Sequence, residues 1–205
     1  LEAGRPDELA SLVYTAGTTG DPKGVMLTHR NILSNALVAQ KHFGLAPEDV
    51  ALSFLPLSHI FERTGGYYTM LAAGGRIAYA ESIDTVPRNL LEVRPTVMCS
   101  VPRLYEKMYD RVQQSVAEGS AVKRFLFARG LSIGRAASAR REAGRSLGPI
   151  LGALHGLADR VVFSKVRERT GGRLRFSMSG GAALEAGIAR FFHAIGLAIL
   201  EGYGQ

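Results

Sequence analysis

One eleven-residue stretch near the start of the chain concentrates residue types that bind polyphosphate. It runs from Tyr14 to Gly24 and contains three glycines, three threonines, one proline and one lysine. Glycines let backbone N–H groups approach a ligand closely, and successive N–H groups form a concavity that suits anions. The hydroxyls add hydrogen-bond donors, and Lys23 adds a positive charge on a flexible stem. Apolar residues flank the stretch, which therefore predicts a phosphate-binding loop between two strands.

The spacing within this loop excludes two common nucleotide-binding motifs. Asp21 and Pro22 separate Gly20 from Lys23, so the Walker pattern of Gly, four residues and Gly-Lys-Ser/Thr is not matched. The chain also lacks a G-x-G-x-x-G turn between a strand and a helix, the dinucleotide-binding fingerprint. An ordinary glycine-rich hairpin stays open as an alternative, although a plain hairpin has no use for three threonines and a lysine.

Two further glycine-containing segments each follow an apolar strand pattern. Ser179 to Leu184 contains Gly-Gly between a predicted strand and a predicted helix, where backbone N–H groups face the ligand-binding edge of an α/β sheet. In the segment from Glu201 to Gln205, two glycines flank Tyr203, and an aromatic ring beside bare backbone suits stacking on a purine. Each segment taken alone is also typical of an ordinary loop.

The elements that must position these segments alternate between strand and helix. This alternation predicts an α/β fold of layered, mostly parallel sheets flanked by helices. It lapses between about 102 and 171, which predicts a helical insert. The predicted strands cover 50–55, 76–80, 96–100, 174–178 and 197–200, and the predicted helices cover 29–42, 59–71, 84–94, 103–117, 121–143, 150–169 and 184–194.

The order of the three glycine-rich segments resembles that of the adenylate-forming, or AMP-binding, superfamily. The stretch from Tyr14 to Gly24 resembles its phosphate-loop signature, although Ala16 stands where most members carry a serine or threonine. The resemblance implies catalytic roles for Thr19 and Lys23, and it implies that the Tyr203 ring stacks on adenine. The nucleotide-binding residues that it implies are Thr15, Ala16, Gly17, Thr18, Thr19, Gly20, Lys23, Gly180, Gly181, Ala182, Glu201, Gly202, Tyr203 and Gly204.

The segment from Leu55 to Arg63 resembles a further region of that superfamily, on the acyl-substrate side. There, a histidine lies near the acyl group and the following helix walls the acyl tunnel. The resemblance therefore implies that His59 and Gly66 contact substrate. A histidine in an apolar setting is also typical of a core, so that alternative stays open for His59.

The helical insert resembles that of the long-chain fatty acyl-CoA synthetases, particularly over 101–107 and 125–128. The implied ligands are a long-chain fatty acid, ATP, magnesium and coenzyme A, with no metal ligand within this chain. Residues 1–205 would then be part of an N-terminal adenylation domain, with the C-terminal lid domain absent. The open alternatives are another adenylate-forming enzyme, such as an aryl-CoA ligase or a peptide-synthetase adenylation domain, and a non-catalytic nucleotide- or lipid-binding module.

The charge distribution is uneven. The net charge is +7, and residues 103–175 hold 16 of the 25 basic residues but only 6 of the 18 acidic ones. Such a segment suits peripheral contact with an anionic membrane, although a solvated helical face is the commoner explanation. We expect no nucleic-acid partner. The single cysteine, Cys99, fits a reducing compartment, so the expected location is cytoplasmic, with the inner membrane face as a peripheral site.

Overall fold

Short strands alternate with helices along most of the chain, and the computed structural model describes residues 4–15 and 21–202. The chain divides into two units, Leu1–Ile83 and Asp84–Gln205. Parallel strands flanked by helices occur in both units, which confirms the predicted α/β class. Cys99 is buried within one of these strands.

The first unit begins with an antiparallel ribbon of two strands, whose register pairs Thr15 with Lys23. The Thr28 side chain caps the following helix by accepting a hydrogen bond from the backbone N–H of Asn31, as the sequence predicts. Beyond that helix, two parallel strands pair with each other. The elements of this unit are β1 (Leu9–Thr15), β2 (Lys23–Thr28), α1 (His29–His42), β3 (Val50–Ser53), a π-helical turn (Glu62–Tyr68), α2 (Thr69–Ala73) and β4 (Arg76–Tyr79).

The second unit contains three parallel strands, β5, β6 and β7, which lie side by side in that order. The predicted helical insert lies between the first two of these strands. The elements of this unit are α3 (Val86–Val93), β5 (Val97–Ser100), α4 (Pro102–Ala117), α5 (Ala121–Glu142), α6 (Gly148–Ala158), a π-helical turn (Asp159–Phe163), α7 (Ser164–Glu168), β6 (Phe176–Ser179), α8 (Ala186–Ala194) and β7 (Ala198–Glu201).

Aromatic side chains hold the helices of the second unit together. The ring of Tyr105 on α4 meets the ring of Phe192 on α8 edge-on, with 6.0 Å between centroids. On the neighbouring position of α8, Phe191 contacts Tyr109 in the same geometry at 4.9 Å. The Tyr105 hydroxyl also shares a hydrogen bond with the hydroxyl of Ser177 on β6. Because burial and edge-to-face packing act together here, α4 and α8 are fixed against the strands.

The long basic helix α5 packs on α8 through small residues. A Cβ atom at Gly134 would lie 2.3 Å from the carbonyl oxygen of Ala194, so only glycine allows this approach. Phe127, Gly130 and Ala137 are buried along the same face, whereas Arg129 is exposed. The arginines of α5 therefore lie on a solvated face of a helix that is packed within its own unit. No helix in the described part of the chain has the length and apolar character that crossing a membrane requires.

Two predicted helices differ from the structure. The helix predicted over 59–71 begins at Ile60, and its residues Glu62–Tyr68 are π-helical. The adjacent glycines Gly65 and Gly66 have poor α-helix propensity, which favours such a local widening. The single helix predicted over 150–169 is instead α6, a π-helical turn and α7. In both places, the sequence predicts helix correctly but does not reveal the change of hydrogen-bonding pattern.

Candidate functional site

The second and third glycine-rich segments are neighbours at one edge of the second unit. The register of β5, β6 and β7 places Ser100, Ser179 and Glu201 side by side at the carboxyl ends of the strands. The backbone N–H of Gly180 donates to Ser100 at 3.0 Å, and that of Gly202 donates to Ser179 at 2.8 Å. Ligands of parallel α/β sheets bind outside this edge. The structure thus brings together Gly180 and Gly202, which lie 22 residues apart in sequence.

Backbone conformation and one carboxylate fix the turn after β6. Gly181 has a φ of +83°, a left-handed conformation that strongly favours glycine. The Glu201 carboxylate accepts a hydrogen bond from the backbone N–H of Leu184 at 3.3 Å, so the end of β7 holds the turn in place. Ala182 lies between these two fixed points and is exposed. Of the residues that the resemblance assigns to nucleotide binding, Gly181 and Ala182 are exposed on this fixed turn, whereas Gly180 is buried.

The hydroxyl of Ser179 at this edge is buried and, among the described residues, has no hydrogen-bond partner. A buried hydroxyl without a partner is destabilising by about 1–3 kcal/mol, so native proteins usually satisfy it. The sequence motif contains Ser179 but does not indicate a role for it. The burial of its hydroxyl without a hydrogen-bond partner depends on packing, which the sequence does not show.

Part of the predicted phosphate-binding stretch lies in the antiparallel ribbon β1–β2 of the first unit. Lys23 is the first residue of β2, its side chain is exposed, and its backbone lies opposite that of Thr15. The ribbon confirms the two strands predicted on either side of the loop. The residues between the two strands that carry this prediction, Ala16 to Gly20 with Thr19 among them, lie outside the described residues, as do Tyr203 and Gly204. Their assigned roles stay predictions.

His59 is exposed, so the alternative of a core histidine is wrong. Its Nδ1 accepts a hydrogen bond from the backbone N–H of Phe61 at 3.2 Å. A neutral ring that accepts at Nδ1 carries its proton on Nε2. The ring therefore offers a donor to any group that lies on its exposed side.

Arg63 organises the same segment, a role that the sequence did not indicate. Its Nε donates to the carbonyl of Leu57 at 3.0 Å, and its Nη1 donates to the hydroxyl of Ser11 on β1 at 2.8 Å. One side chain thus links the loop around His59 to the ribbon that carries Lys23. The contact with Ser11 spans 52 residues, so no local pattern could have predicted it.

A buried carboxyl group lies beside Gly66. Burial raises the pKa of Glu62 to about 7, against the opposing effect of the hydroxyl of Ser53 at the end of β3. A Cβ atom at Gly66 would lie 2.4 Å from a carboxylate oxygen of Glu62. Any side chain added at Gly66 would therefore first displace Glu62, and a substrate role for Gly66 stays a prediction.

The residues that the structure describes, 4–15 and 21–202, contain no evident metal site. No group of three or more histidine, cysteine, aspartate or glutamate side chains is placed there to hold a metal ion.

The chain matches the family model described as "AMP-binding enzyme" over residues 1–205. It is 38% identical over 208 residues to fatty acyl-CoA synthetase A of Dictyostelium discoideum, with 99% of this chain and 29% of that protein covered. It is 37% identical over 206 residues to long-chain-fatty-acid–CoA ligase 1 of Homo sapiens, with 98% of this chain and 28% of that protein covered. The chain therefore spans less than a third of the length of these curated relatives.

Solved structures of similar fold include ATP-bound MatB from Rhodopseudomonas palustris, with a TM-score of 0.64 and 26% identity, covering 100% of this chain and 30% of that one. The adenylation domain of a carboxylate reductase from Mycobacterium chelonae gives a TM-score of 0.69 and 26% identity, covering 98% of this chain and 27% of that one. The chain belongs to the AMP-binding enzyme family.

Proposed function

We propose that this chain is part of the N-terminal adenylation domain of a long-chain fatty acid–CoA ligase, whose C-terminal lid lies outside these 205 residues. The observation that carries the proposal is the strand edge of the second unit. There, two glycine-rich turns are held in register beside Ser179 in a member of the AMP-binding family. The identity of 37–38% to fatty acyl-CoA synthetases supports a fatty acid as the acyl substrate.

The proposed reaction has two steps. In the first, a carboxylate oxygen of the fatty acid attacks the α-phosphorus of ATP, the bond to the β-phosphate oxygen breaks, and pyrophosphate leaves. In the second, the sulfur of coenzyme A attacks the acyl carbon, loses its proton, and displaces AMP. Charge shifts among phosphate oxygens in the first step, so the protein contributes mainly positioning and electrostatic stabilisation.

The chain's own residues divide these tasks in the proposal. Lys23, Thr19 and the backbone of the phosphate loop hold the β- and γ-phosphates, because ammonium, hydroxyl and N–H groups all donate to phosphate oxygens. The turn Gly180–Ala182 and the segment from Glu201 to Gly204 border the AMP moiety. The described residues offer no cluster that would hold the magnesium ion implied by the family, so we assign no step to it.

On the acyl side, the proposal places His59 near the fatty carboxylate and Gly66 in the wall of the acyl tunnel. The exposed ring of His59 and its anchorage next to Arg63 support a contact with substrate. Bulk at Gly66 would shorten the tunnel, and each excluded methylene would forfeit about 0.8 kcal/mol of binding. Since Glu62 would move first, this effect should be measured against Glu62 variants of the same protein.

Another adenylate-forming activity is the second candidate, because the structure is also similar to the adenylation domain of a carboxylate reductase. The two candidates share the first step and differ in the acid and in the acceptor of the acyl group. The helical insert favours the long-chain ligase.

ATP–pyrophosphate exchange by the full-length protein tests the proposal. A panel of acids from acetate to palmitate, with benzoate added, should show exchange that is strongest with the long chains, and added coenzyme A should yield the thioester. Exchange with benzoate alone would support the second candidate, and no exchange with any acid would support a binding module. Residues 1–205 alone should form no thioester.

We also propose peripheral contact of the basic insert with an anionic membrane. On α6, Ile150, Leu154 and Leu157 follow a helical spacing and are 78%, 44% and 61% exposed. Arginines of the insert lie on both sides of this helix in sequence, at Arg145 and Arg160. Exposed apolar residues next to cations are typical of interfacial helices. Flotation of the full-length protein should require anionic lipid and weaken with salt, and equal recovery with neutral vesicles would contradict the proposal.

A further inference from the structure

A groove with apolar walls lies within the helical insert. It has a volume of about 350 Å³ and runs between α4, the start of α5, and the π-helical turn that leads into α7. That volume lies in the range of about 300–1,000 Å³ typical of small-molecule sites. Valines line much of it, and Phe127 is its buried aromatic residue. The groove could therefore hold an alkyl chain of moderate length.

The polar side chains of the groove are all cationic or neutral. Lys123, Lys165 and Arg169 line it together with two serines, and no acidic residue of the described part of the chain does so. Ser115 draws two of the cations together, because its carbonyl accepts from Lys123 Nζ at 2.6 Å and its hydroxyl accepts from Arg169 Nη2 at 3.2 Å. The groove thus combines an apolar wall with a local excess of three positive charges.

The groove is at the end of the second unit opposite to the strand edge that carries Gly180 and Glu201. Helix α4 starts directly after β5 and runs back past it, so Val112 and Val116 lie towards the amino ends of the strands. Arg169 lies a few residues before β6 begins, at the same end. A ligand in this groove would not touch the glycine-rich turns, so the groove is a separate site.

From this charge and shape we propose that the groove binds an anionic amphiphile, a monocarboxylate with an alkyl chain, as a single dissolved molecule. The carboxylate would face Lys123, Lys165 and Arg169, and the chain would lie against the valines. An uncharged alkyl ligand would leave the three cations without a counter-charge. A small anion would leave the apolar wall of the groove exposed to water. This proposal does not depend on the proposed ligase activity, because no residue of the groove belongs to the strand edge.

Hydrogen–deuterium exchange of the full-length protein, analysed peptide by peptide, tests the proposal at the site itself. The probe is decanoate below its micelle-forming concentration. Exchange should slow over 112–126 and 161–169 with a saturable dependence on decanoate, and decanol or acetate should have at most a tenth of the potency. Exchange over 176–202 reports separately on the strand edge, so ligand uptake there cannot imitate the expected result.

Two variants and one matched control decide the outcome. Lys165→Glu should raise the decanoate concentration for half-protection about tenfold, because it reverses one charge near the carboxylate. Val116→Trp should abolish the protection by filling the apolar part, whereas Lys107→Glu, an exposed lysine of α4 outside the groove, should leave it unchanged. Thermal unfolding midpoints identify a misfolded variant, and the other variant then carries the test.

Three results would overturn the proposal. The first is equal protection by decanol and decanoate, which would make the site merely apolar. The second is no protection of 112–126 and 161–169 by decanoate, including the case in which only anionic vesicles protect them, since the partner would then be a membrane surface. The third is protection that persists unchanged in both Lys165→Glu and Val116→Trp.

Discussion

The two glycine-rich regions of this chain are built in opposite ways. In the described residues, the ribbon β1–β2 pairs its strands with each other and leaves large side chains in solvent, with Tyr14 70% and Met26 72% exposed. The turns of the second unit follow parallel strands that pair with one another, and backbone hydrogen bonds tie Gly180 and Gly202 to adjacent strands. The first construction suits the proposed contacts with polyphosphate, and the second suits the proposed contacts with the nucleoside.

The difference predicts how each region responds to substitution. On the ribbon, Lys23 contributes a charge whose removal disturbs little packing, so its loss should alter chemistry and spare the fold. At the strand edge, the same backbone groups serve the fold and the proposed nucleotide site, so a change there should alter both. The following variants of the full-length protein separate these two cases.

The largest effect is expected for Lys23→Ala. Loss of one preorganised donor to the phosphates should slow ATP–pyrophosphate exchange by about 10²–10³. The unfolding midpoint should stay unchanged, because the side chain is exposed. Lys41→Ala, an exposed lysine of α1, is the matched control and should exchange at the normal rate. An unaltered rate in Lys23→Ala would remove the ribbon from the chemistry.

The first unit also contains a buried group that should affect stability with a characteristic pH dependence. Burial raises the pKa of Glu62 from 4.5 to about 7, so the folded state holds its proton more tightly than the unfolded state. Its contribution is fully present below about pH 4.5 and is lost as the pH rises through 7, at about 1.4 kcal/mol per pH unit. Glu62→Gln cannot ionise and should gain stability over the parent protein across this interval.

Urea unfolding at pH 5, 6, 7 and 8 measures that gain. The difference between Glu62→Gln and the parent should grow up to about pH 7 and then level off. Glu48→Gln, an exposed glutamate of the same unit, controls for the loss of one charge. Parallel pH profiles for Glu62→Gln and the parent would show that Glu62 is not held protonated by burial.

At the strand edge, Gly181→Ala should affect stability and nucleotide binding together. The site has room for a methyl group, since its nearest neighbour would be Val101 Cγ1 at 4.0 Å, but the φ of +83° is unfavourable for alanine. The expected loss is about 1–2 kcal/mol of stability, with a rise of about tenfold in the KM for ATP. Gly152→Ala, with open space and a helical backbone, should stabilise by up to about 1 kcal/mol and leave that KM unchanged.

The smallest effect is expected for Glu201→Gln. The amide oxygen can still accept from Leu184 N–H, so only the charge of the hydrogen bond is lost. We expect a change in ATP affinity of about twofold to fivefold, in line with roughly 0.5–1 kcal/mol. Glu201→Ala removes the acceptor altogether and should be clearly worse. Equal affinity in all three proteins would show that this hydrogen bond does not position the turn.

Much of the fold followed from local signals. Thr28 and Gly44 correctly predict the two ends of α1. An N-cap hydroxyl and a left-handed glycine act within a few residues of the helix, so both signals are local. Pro102 likewise marked the start of α4. The π-helical turns at Glu62 and Asp159 could not be predicted, because over five to seven residues no local sequence pattern distinguishes i→i+5 hydrogen bonding from that of an α-helix.

For the candidate site, the sequence predicted the glycine-rich turns but not what fixes them. Ser100, Ser179 and Glu201 align only because of strand register, which the sequence leaves open. The sequence contains Arg63 and Glu62 but does not indicate their roles. The role of Arg63 depends on its hydrogen bond to Ser11, 52 residues away, and that of Glu62 depends on its burial. Long-range packing therefore accounts for most of what the sequence could not show.

Photolabelling with 8-azidoadenosine triphosphate tests the central claim, that the strand edge of the second unit holds the nucleotide. The full-length protein would be irradiated with the probe, digested and mapped by mass spectrometry, with excess ATP as competitor. The proposal predicts that ATP-protected label falls within residues 176–205. ATP-protected label that is absent from those residues and present elsewhere, for example over the groove at 112–126, would contradict it.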